Sequence, residues 1–286
     1  MSTLNPLDYA VISQALIASA REMGVKLIRS AYSTILREAR DGSAGLMDRH
    51  GNTVAQAELI PMQLGPIGET LRACLKRYPV DTLKEGDFLI NNDPFEGGQH
   101  IPDVFIFTPI FVNGRVVGFG ASVAHHLDLG GGAPGLNIHA SDVYQEGLRF
   151  PPSKYSFPND WNGGSFERLV TANVRVPDLT IGDFNAQFAA NAIGVLRVKQ
   201  LCERYGAETI EKFLDEYQDH AERVTAKAIS ETGASVSISM LLAFSRRVAF
   251  RYLWKGCPVA LLNRNRKCDV LKPKWSAISE SRRSRA

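Results

Sequence analysis

Hydrophobic positions recur along this chain with two different periods, and each change of period marks a change of predicted element. Leu7, Val11, Ala15 and Ala18, then Met23, Leu27, Ala31 and Ile35, follow helical spacing. They predict a helix over residues 6–38, opened by Asn5-Pro6 and closed by the polar turn from Glu38 to Ser43. Two short strands are expected next, Ala44–Met47 and Thr53–Glu58, around the turn Asp48 to Asn52. Pro61, Gly65, Pro66 and Gly68 mark a loop, and Glu69–Tyr78 has the pattern of an amphipathic helix. Phe88–Asn91 is a short strand. Val104–Phe107 and Pro109–Val112 are apolar and β-prone, Asn113-Gly114 is a two-residue turn signal, and Val116–Ala124 returns. This predicts a β-hairpin. A long helical region begins at Gly182-Asp183-Phe184, and Ala186–Tyr205 and Ala207–Ser230 read as two helices broken at Gly206. The fold class is therefore α+β, with mixed helices, antiparallel hairpins or sheet, and this hairpin at the centre.

A hairpin brings its two ends together, and here both ends are polar. His100-Ile101-Pro102-Asp103 precedes the first strand; His125-His126-Leu127-Asp128 follows the second. Pro102 fixes its own φ and keeps Ile101 extended. Side chains alternate along a strand, so only one of His125 and His126 faces the His100/Asp103 pair. The other is a candidate to orient a ligand from behind, and Asp128 is open to either role. Imidazole with carboxylate suits Mn²⁺, Zn²⁺ or Fe²⁺. No cysteine lies nearby, which argues against a thiolate zinc site. A structural reading of any one residue remains: Asp in a glycine-rich loop is commonly a turn former.

Composition narrows the setting. The chain has 286 residues, 44% of them hydrophobic and 22% charged, enough for one large domain or two ordinary ones. Cys74, Cys202, Cys257 and Cys268 are scattered, which fits unpaired thiols in a reducing compartment. No secretion signal or membrane-length apolar run is read, so a cytoplasmic protein without membrane association is expected. Residues 130–165 are rich in Gly, Pro and Ser and directly follow the histidines. A substrate-facing loop is expected there. Backbone amides in such a loop are also able to cradle a phosphate, although no Walker or dinucleotide pattern is present. The net charge of +3 hides an asymmetry: residues 1–231 carry −7, whereas residues 232–286 carry 12 Lys and Arg against Asp269 and Glu280.

Several ordered blocks give a family resemblance. They are Ser30-Ala31-Tyr32-Ser33 with Glu38, Asp41 and Ser43; Ala55-Gln56 with Ile60-Pro61; and Asn92-Asp93-Pro94-Phe95 with Gly97-Gly98 and His100 to Asp103. Then come His125-His126, Asp128, Gly130-Gly131, Pro134-Gly135 and Gln145-Glu146-Gly147, and finally Asn173, Arg175, Gly182-Asp183 and Ala186-Gln187. Over about residues 7–231 the chain resembles the hydantoinase B / 5-oxoprolinase family, which also includes the metal-containing subunit of acetone carboxylases.

The resemblance implies a split chemistry. A partner, a hydantoinase A-like ATPase subunit, uses ATP to phosphorylate a carbonyl oxygen of a small-molecule substrate. The B-type part then opens a cyclic amide or, in the carboxylase branch, joins an activated enolate to CO₂. The carboxylase branch places manganese on positions matching His100, Asp103 and His125. An ion there would polarise an oxygen or activate a water, and Asp41, Glu38, His126 and Asp128 are the candidates to orient that water or shuttle protons. A helix-terminal turn is the competing explanation for Glu38 and Asp41. The expected function is the B-type subunit of an ATP-dependent cyclic-amide hydrolase, working in a hetero-oligomer without nucleic acid. The alternatives are an acetone/acetophenone-type carboxylase subunit and an inactive truncated remnant.

The tail departs from the family pattern. After Glu231 neither a Pro-Asp-Gly turn nor a clear strand alternation follows, and acidic residues almost vanish. Residues 1–231 are expected to form the N-terminal part of a hydantoinase B-like domain. Residues 232–286 read as the product of truncation or a shifted reading frame, the alternative being a basic tail that docks on a partner.

Overall fold

A computed structural model describes residues 4–57 and 59–232. In chain order the helices are α1 (Pro6–Ser30), α2 (Thr34–Arg37), α3 (Pro61–Arg77), α4 (Phe157–Asp160), α5 (Ser165–Asn173), α6 (Pro177–Tyr205) and α7 (Ala207–Thr232). The strands are β1 (Gly42–Asp48), β2 (Thr53–Gln56), β3 (Asp87–Asn91), β4 (Asp103–Val112), β5 (Arg115–His125) and β6 (Ser153–Ser156). Among the described residues all strand pairings are antiparallel, in one sheet ordered β2-β1-β5-β4-β3-β6. The expected α+β class holds, and the hairpin strands β4 and β5 are central.

The period-two pattern of the strands is spent on two apolar layers. One face carries Ala44, Leu46, Ile110, Val117 and Ala124 against α1 and α6. On the same side Val104 and Ile106 meet Phe184 and Phe188 of α6, with Trp161 and Phe166. The opposite face carries Phe105, Phe107, Phe119, Ala121 and Val123 against Ile67, Leu71 and Cys74 of α3. With both faces covered, β4 and β5 read as apolar runs rather than alternating ones.

The hairpin turn sets the register, and a bulge then corrects it. Asn113 and Gly114 have φ of 51° and 75°, the left-handed pair that a primed turn requires. Arg115 pairs with Val112 and Val116 with Phe111, but the register shifts before Ile110, which pairs with Gly118. The extra residue on β5 carries through to the far end, where Asp103 pairs with His125. Without it, Asp103 would oppose Ala124, and His125 would point to the other face.

Three expectations need correction. The helix over 6–38 is two helices, because Ala31 and Ser33 are extended. Asp183 Oδ1 accepts from the Tyr32 and Ser33 backbone amides at 2.7 and 3.0 Å, and Ser33 caps α2. The loop at Pro61–Gly68 is the first half of α3. Pro61 sits at the helix start, where its missing N–H costs nothing. Pro66 lies inside the helix, and Gln99 Nε2 donates to the Met62 carbonyl oxygen that Pro66 leaves without its helical donor, at 2.9 Å. The loop at 130–165 also contains β6 and α4, and β6 extends the sheet beyond β3.

Other expectations fit closely. The break at Gly206 is present, with φ of 88° and its N–H on the Cys202 carbonyl oxygen. Cys74 and Cys202 are buried free thiols; burial raises their pKa, Cys202 to about 11. Cys257, Cys268 and the basic tail lie outside the described residues. Among the described residues, no helix is long and apolar enough to cross a membrane.

Candidate metal centre

The site forms at the ends of three adjacent strands. Sheet order places β1, β5 and β4 side by side. Asp41 immediately precedes β1, His125 ends β5 and Asp103 begins β4. The His125 backbone amide donates to the Asp41 carbonyl oxygen at 3.0 Å, continuing the ladder one step past Gly42. Asp103 and His125 share the face that carries Phe105 and Val123. His100 returns over them through the turn before β4, where the Asp103 amide donates to the His100 carbonyl oxygen.

His100 Nε2 lies 3.0 Å from Asp103 Oδ1, and His125 Nδ1 lies 3.3 Å from the same oxygen. All three donor atoms fall within 4.8 Å of one another. The imidazole rings are 4.9 Å apart, centre to centre. Asp103 is 1% exposed and His125 5%, while His100 is partly open. Despite the short distances, Asp103 Oδ1 has no properly aligned hydrogen bond among the described residues. A buried carboxylate oxygen without a donor is costly. Two imidazole nitrogens and one carboxylate oxygen fit a divalent cation, and ligands roughly 2.1 Å from a shared ion stand about 3 to 3.4 Å apart. The residues present fit such an ion.

The electrostatics are those of a tight cluster. Burial opposes the charge on Asp103, but the two imidazoles outweigh it and lower its pKa. Burial likewise works against protonated His100, yet Asp103, Glu146 and Asp41 together raise its pKa. Asp41 Oδ2 is 3.7 Å from His125 Nδ1. Burial raises the Asp41 pKa and Asp103 adds to it, against the pull of His125 and His100.

The other nominated residues stand apart from these atoms. His126 points to the opposite face, as strand alternation requires. Its Nε2 is 2.9 Å from Gln187 Oε1, and its ring packs against Phe184 at a tilt of 38°, with centres 4.3 Å apart. Gln187 Nε2 donates to the Val104 carbonyl oxygen, which fixes the amide and makes His126 Nε2 the donor. Burial lowers the His126 pKa. Asp128 is an anchor for the loop: it accepts from the Gly130 amide, the Arg175 amide and Arg175 Nη1, the last at 2.8 Å. These donors lower its pKa in spite of burial. Glu38 is the exposed residue after α2, the helix-terminal position that competed with a catalytic role.

Supporting residues carried no role from pattern alone. Asn92 donates to the Ile101 and Leu148 carbonyl oxygens and accepts from the Phe150 amide at 2.6 Å, tying the His100 turn to the segment after the glycine-rich loop. Glu146 accepts from the Ile101 amide. Gln63 donates to Asp41 Oδ1 at 2.8 Å. Asn92, Glu146 and Gln187 lie within the blocks that carry the family resemblance, whereas Gln63 lies in the segment read as a loop.

The comparisons with known proteins agree with this architecture. Residues 5–250 match the family model described as hydantoinase B/oxoprolinase. The chain belongs to the hydantoinase B/oxoprolinase family. It is 33% identical over 236 residues to the B-type subunit of the putative D-/L-hydantoinase of Pseudomonas sp. (strain NS671), covering 81% of this chain and 40% of that protein. It is 30% identical over 244 residues to 5-oxoprolinase 1 of Arabidopsis thaliana, covering 81% of this chain and 19% of that one. The crystal structure of the ATP-dependent caprolactamase from Pseudomonas jessenii is similar with a TM-score of 0.72 at 31% identity, over 80% of this chain and 39% of that chain. A nucleotide-free acetone carboxylase structure shares the fold, with a TM-score of 0.70 at 20% identity over 79% of this chain and 30% of that one. The chain spans about two fifths of the length of the first curated relatives it matches, 41%, 40% and 38%.

Proposed function

We propose that this chain supplies the hydrolytic half of an ATP-dependent cyclic-amide hydrolase. In this reading His100, Asp103 and His125 hold a divalent ion, Mn²⁺, Zn²⁺ or Fe²⁺. A hydantoinase A-like ATPase subunit activates the substrate in a cytoplasmic hetero-oligomer. The observation that carries the reading is the convergence of two imidazole nitrogens on one buried carboxylate oxygen, at 3.0 and 3.3 Å, with no aligned hydrogen bond to that oxygen among the described residues. Family membership supports it, and so do the names of the relatives: a hydantoinase subunit, oxoprolinases and an ATP-dependent caprolactamase.

When bound, such an ion polarises a carbonyl or phosphoryl oxygen or activates a water. The chain's residues do the rest. Asp103 anchors the site from beneath, fixed by its place opposite His125 in the β4–β5 ladder. His100, the more open of the two imidazoles, faces an entering substrate. Asp41 is partly exposed beside His125, and burial raises its pKa, which suits a carboxylate that receives a proton. Glu38, His126 and Asp128 remain outside this proton path. The likeness to the acetone carboxylase is one of fold, so the hydrolase reading is preferred.

The test is reconstitution with the cognate ATPase subunit. Hydantoin, 5-oxoproline and a simple lactam are offered with ATP, and the ring-opened acid is measured beside ADP. The expected result is product without bicarbonate, abolished by His125→Ala while the partner's nucleotide hydrolysis persists. Product formation that requires bicarbonate, or that survives His125→Ala unchanged, would overturn the proposal.

A further inference from the structure

Asp41 stands beside the cluster just ahead of β1, and one buried side chain donates a hydrogen bond to its carboxylate. Gln63, in the first turn of α3, is 1% exposed. Its Nε2 donates to Asp41 Oδ1 at 2.8 Å, and Asp41 Oδ2 lies 3.7 Å from His125 Nδ1. A carboxylate only accepts, so the Gln63 amide has its nitrogen toward Asp41 and its oxygen away. That oxygen is buried and has no hydrogen-bond partner among the described residues.

Such a residue is expensive as packing. A buried carbonyl left without a hydrogen bond is costly, and a methionine would fill the same space without that cost. The first turn of α3 is also tied to the other side of the cluster. The Met62 carbonyl oxygen, left without its helical donor by Pro66, takes a hydrogen bond from Gln99, the neighbour of His100. One helix turn therefore braces both Asp41 and the His100 turn.

We propose that Gln63 is a positioning residue of this centre: it holds Asp41 with Oδ2 toward His125, and through Asp41 it sets how tightly the centre holds a divalent cation. The inference rests on the metal reading above. Groups that orient the charged members of a metal site commonly contribute about 10- to 100-fold in affinity.

The experiment is calorimetric titration of Mn²⁺ into the purified full chain, first stripped of resident metal with a chelator, and into Gln63→Met, Asp41→Ala and the double variant treated alike, with His100→Ala/His125→Ala as reference. Gln63→Met is expected to weaken Mn²⁺ roughly 10-fold or more. In the Asp41→Ala background the same change is expected to add less than about twofold, since its route is already removed. Circular dichroism checks that each variant is folded. Gln63→Asn, which keeps the amide but withdraws it by one methylene, serves if the methionine variant does not fold and is expected to show the same coupling. Affinity within twofold of wild type for Gln63→Met, or losses that multiply fully in the double variant, would overturn the inference while leaving the metal reading intact. Absence of binding by the stripped wild type to Mn²⁺, and to Zn²⁺ and Fe²⁺ titrated in the same way, would overturn both.

Discussion

Asp103 and Asp128 are buried carboxylates at the two ends of one hairpin, and the fold treats them in opposite ways. Asp128 accepts three hydrogen bonds, from the Gly130 amide, the Arg175 amide and Arg175 Nη1, the last of them also an ion pair. Asp103 presents one oxygen to two imidazole nitrogens at 3.0 and 3.3 Å, with no aligned hydrogen bond to it among the described residues. Both pKa values are lowered, so the shift alone does not separate them. Satisfaction does. A carboxylate whose acceptor capacity is filled by its own chain is a structural tie. A buried one with an unfilled oxygen facing convergent ligand atoms is built for something else to complete it.

The sharpest way to break this comparison is to remove each carboxylate in turn. Asp103→Ala is expected to weaken Mn²⁺ by roughly 100-fold or more, beyond the loss typical of an outer residue, as read by calorimetry. Asp128→Ala is expected to leave that affinity within about threefold while costing roughly 2–3 kcal/mol of stability in urea unfolding. If the two variants exchanged phenotypes, the distinction would collapse.

Acid should sharpen the same contrast. The Asp128 pKa is depressed in the folded chain below its ordinary value of 3.8, so its contribution is present above that value and is lost as pH falls through the folded value. Stability followed by urea melts from pH 5 downward is expected to decline less steeply in Asp128→Asn than in wild type. Equal slopes would show that the Arg175 pair carries no such linkage. The smallest effect is expected at Glu38. Glu38→Ala should shift stability by less than about 0.5 kcal/mol and leave Mn²⁺ affinity unchanged, because this side chain is exposed beyond α2.

The sequence-based reading and the structure part company where short-range chemistry competes with long-range contacts. The hairpin was legible because Asn113-Gly114 and its flanking apolar runs are local signals, and alternation correctly separated His125 from His126. Alternation left open which of the two faces Asp103, since that depends on a one-residue bulge near Val117; the family resemblance alone pointed to His125. Pro61, Gly65 and Pro66 read as a loop because the side chain that answers the unpaired Met62 carbonyl, Gln99, lies 37 residues away. The helix break at Ala31–Ser33 is enforced by Asp183, about 150 residues downstream. Gln63 went unassigned for the same reason: nothing near it in sequence points to Asp41.

Whether the ends of β1, β5 and β4 form a metal centre is decided by elemental analysis of the purified chain beside His100→Ala/His125→Ala. The account predicts close to one equivalent of Mn, Zn or Fe in the wild type and almost none in the variant. A folded wild-type chain without metal even after Mn²⁺ or Zn²⁺ is supplied, or a variant that retains its full equivalent, would contradict it.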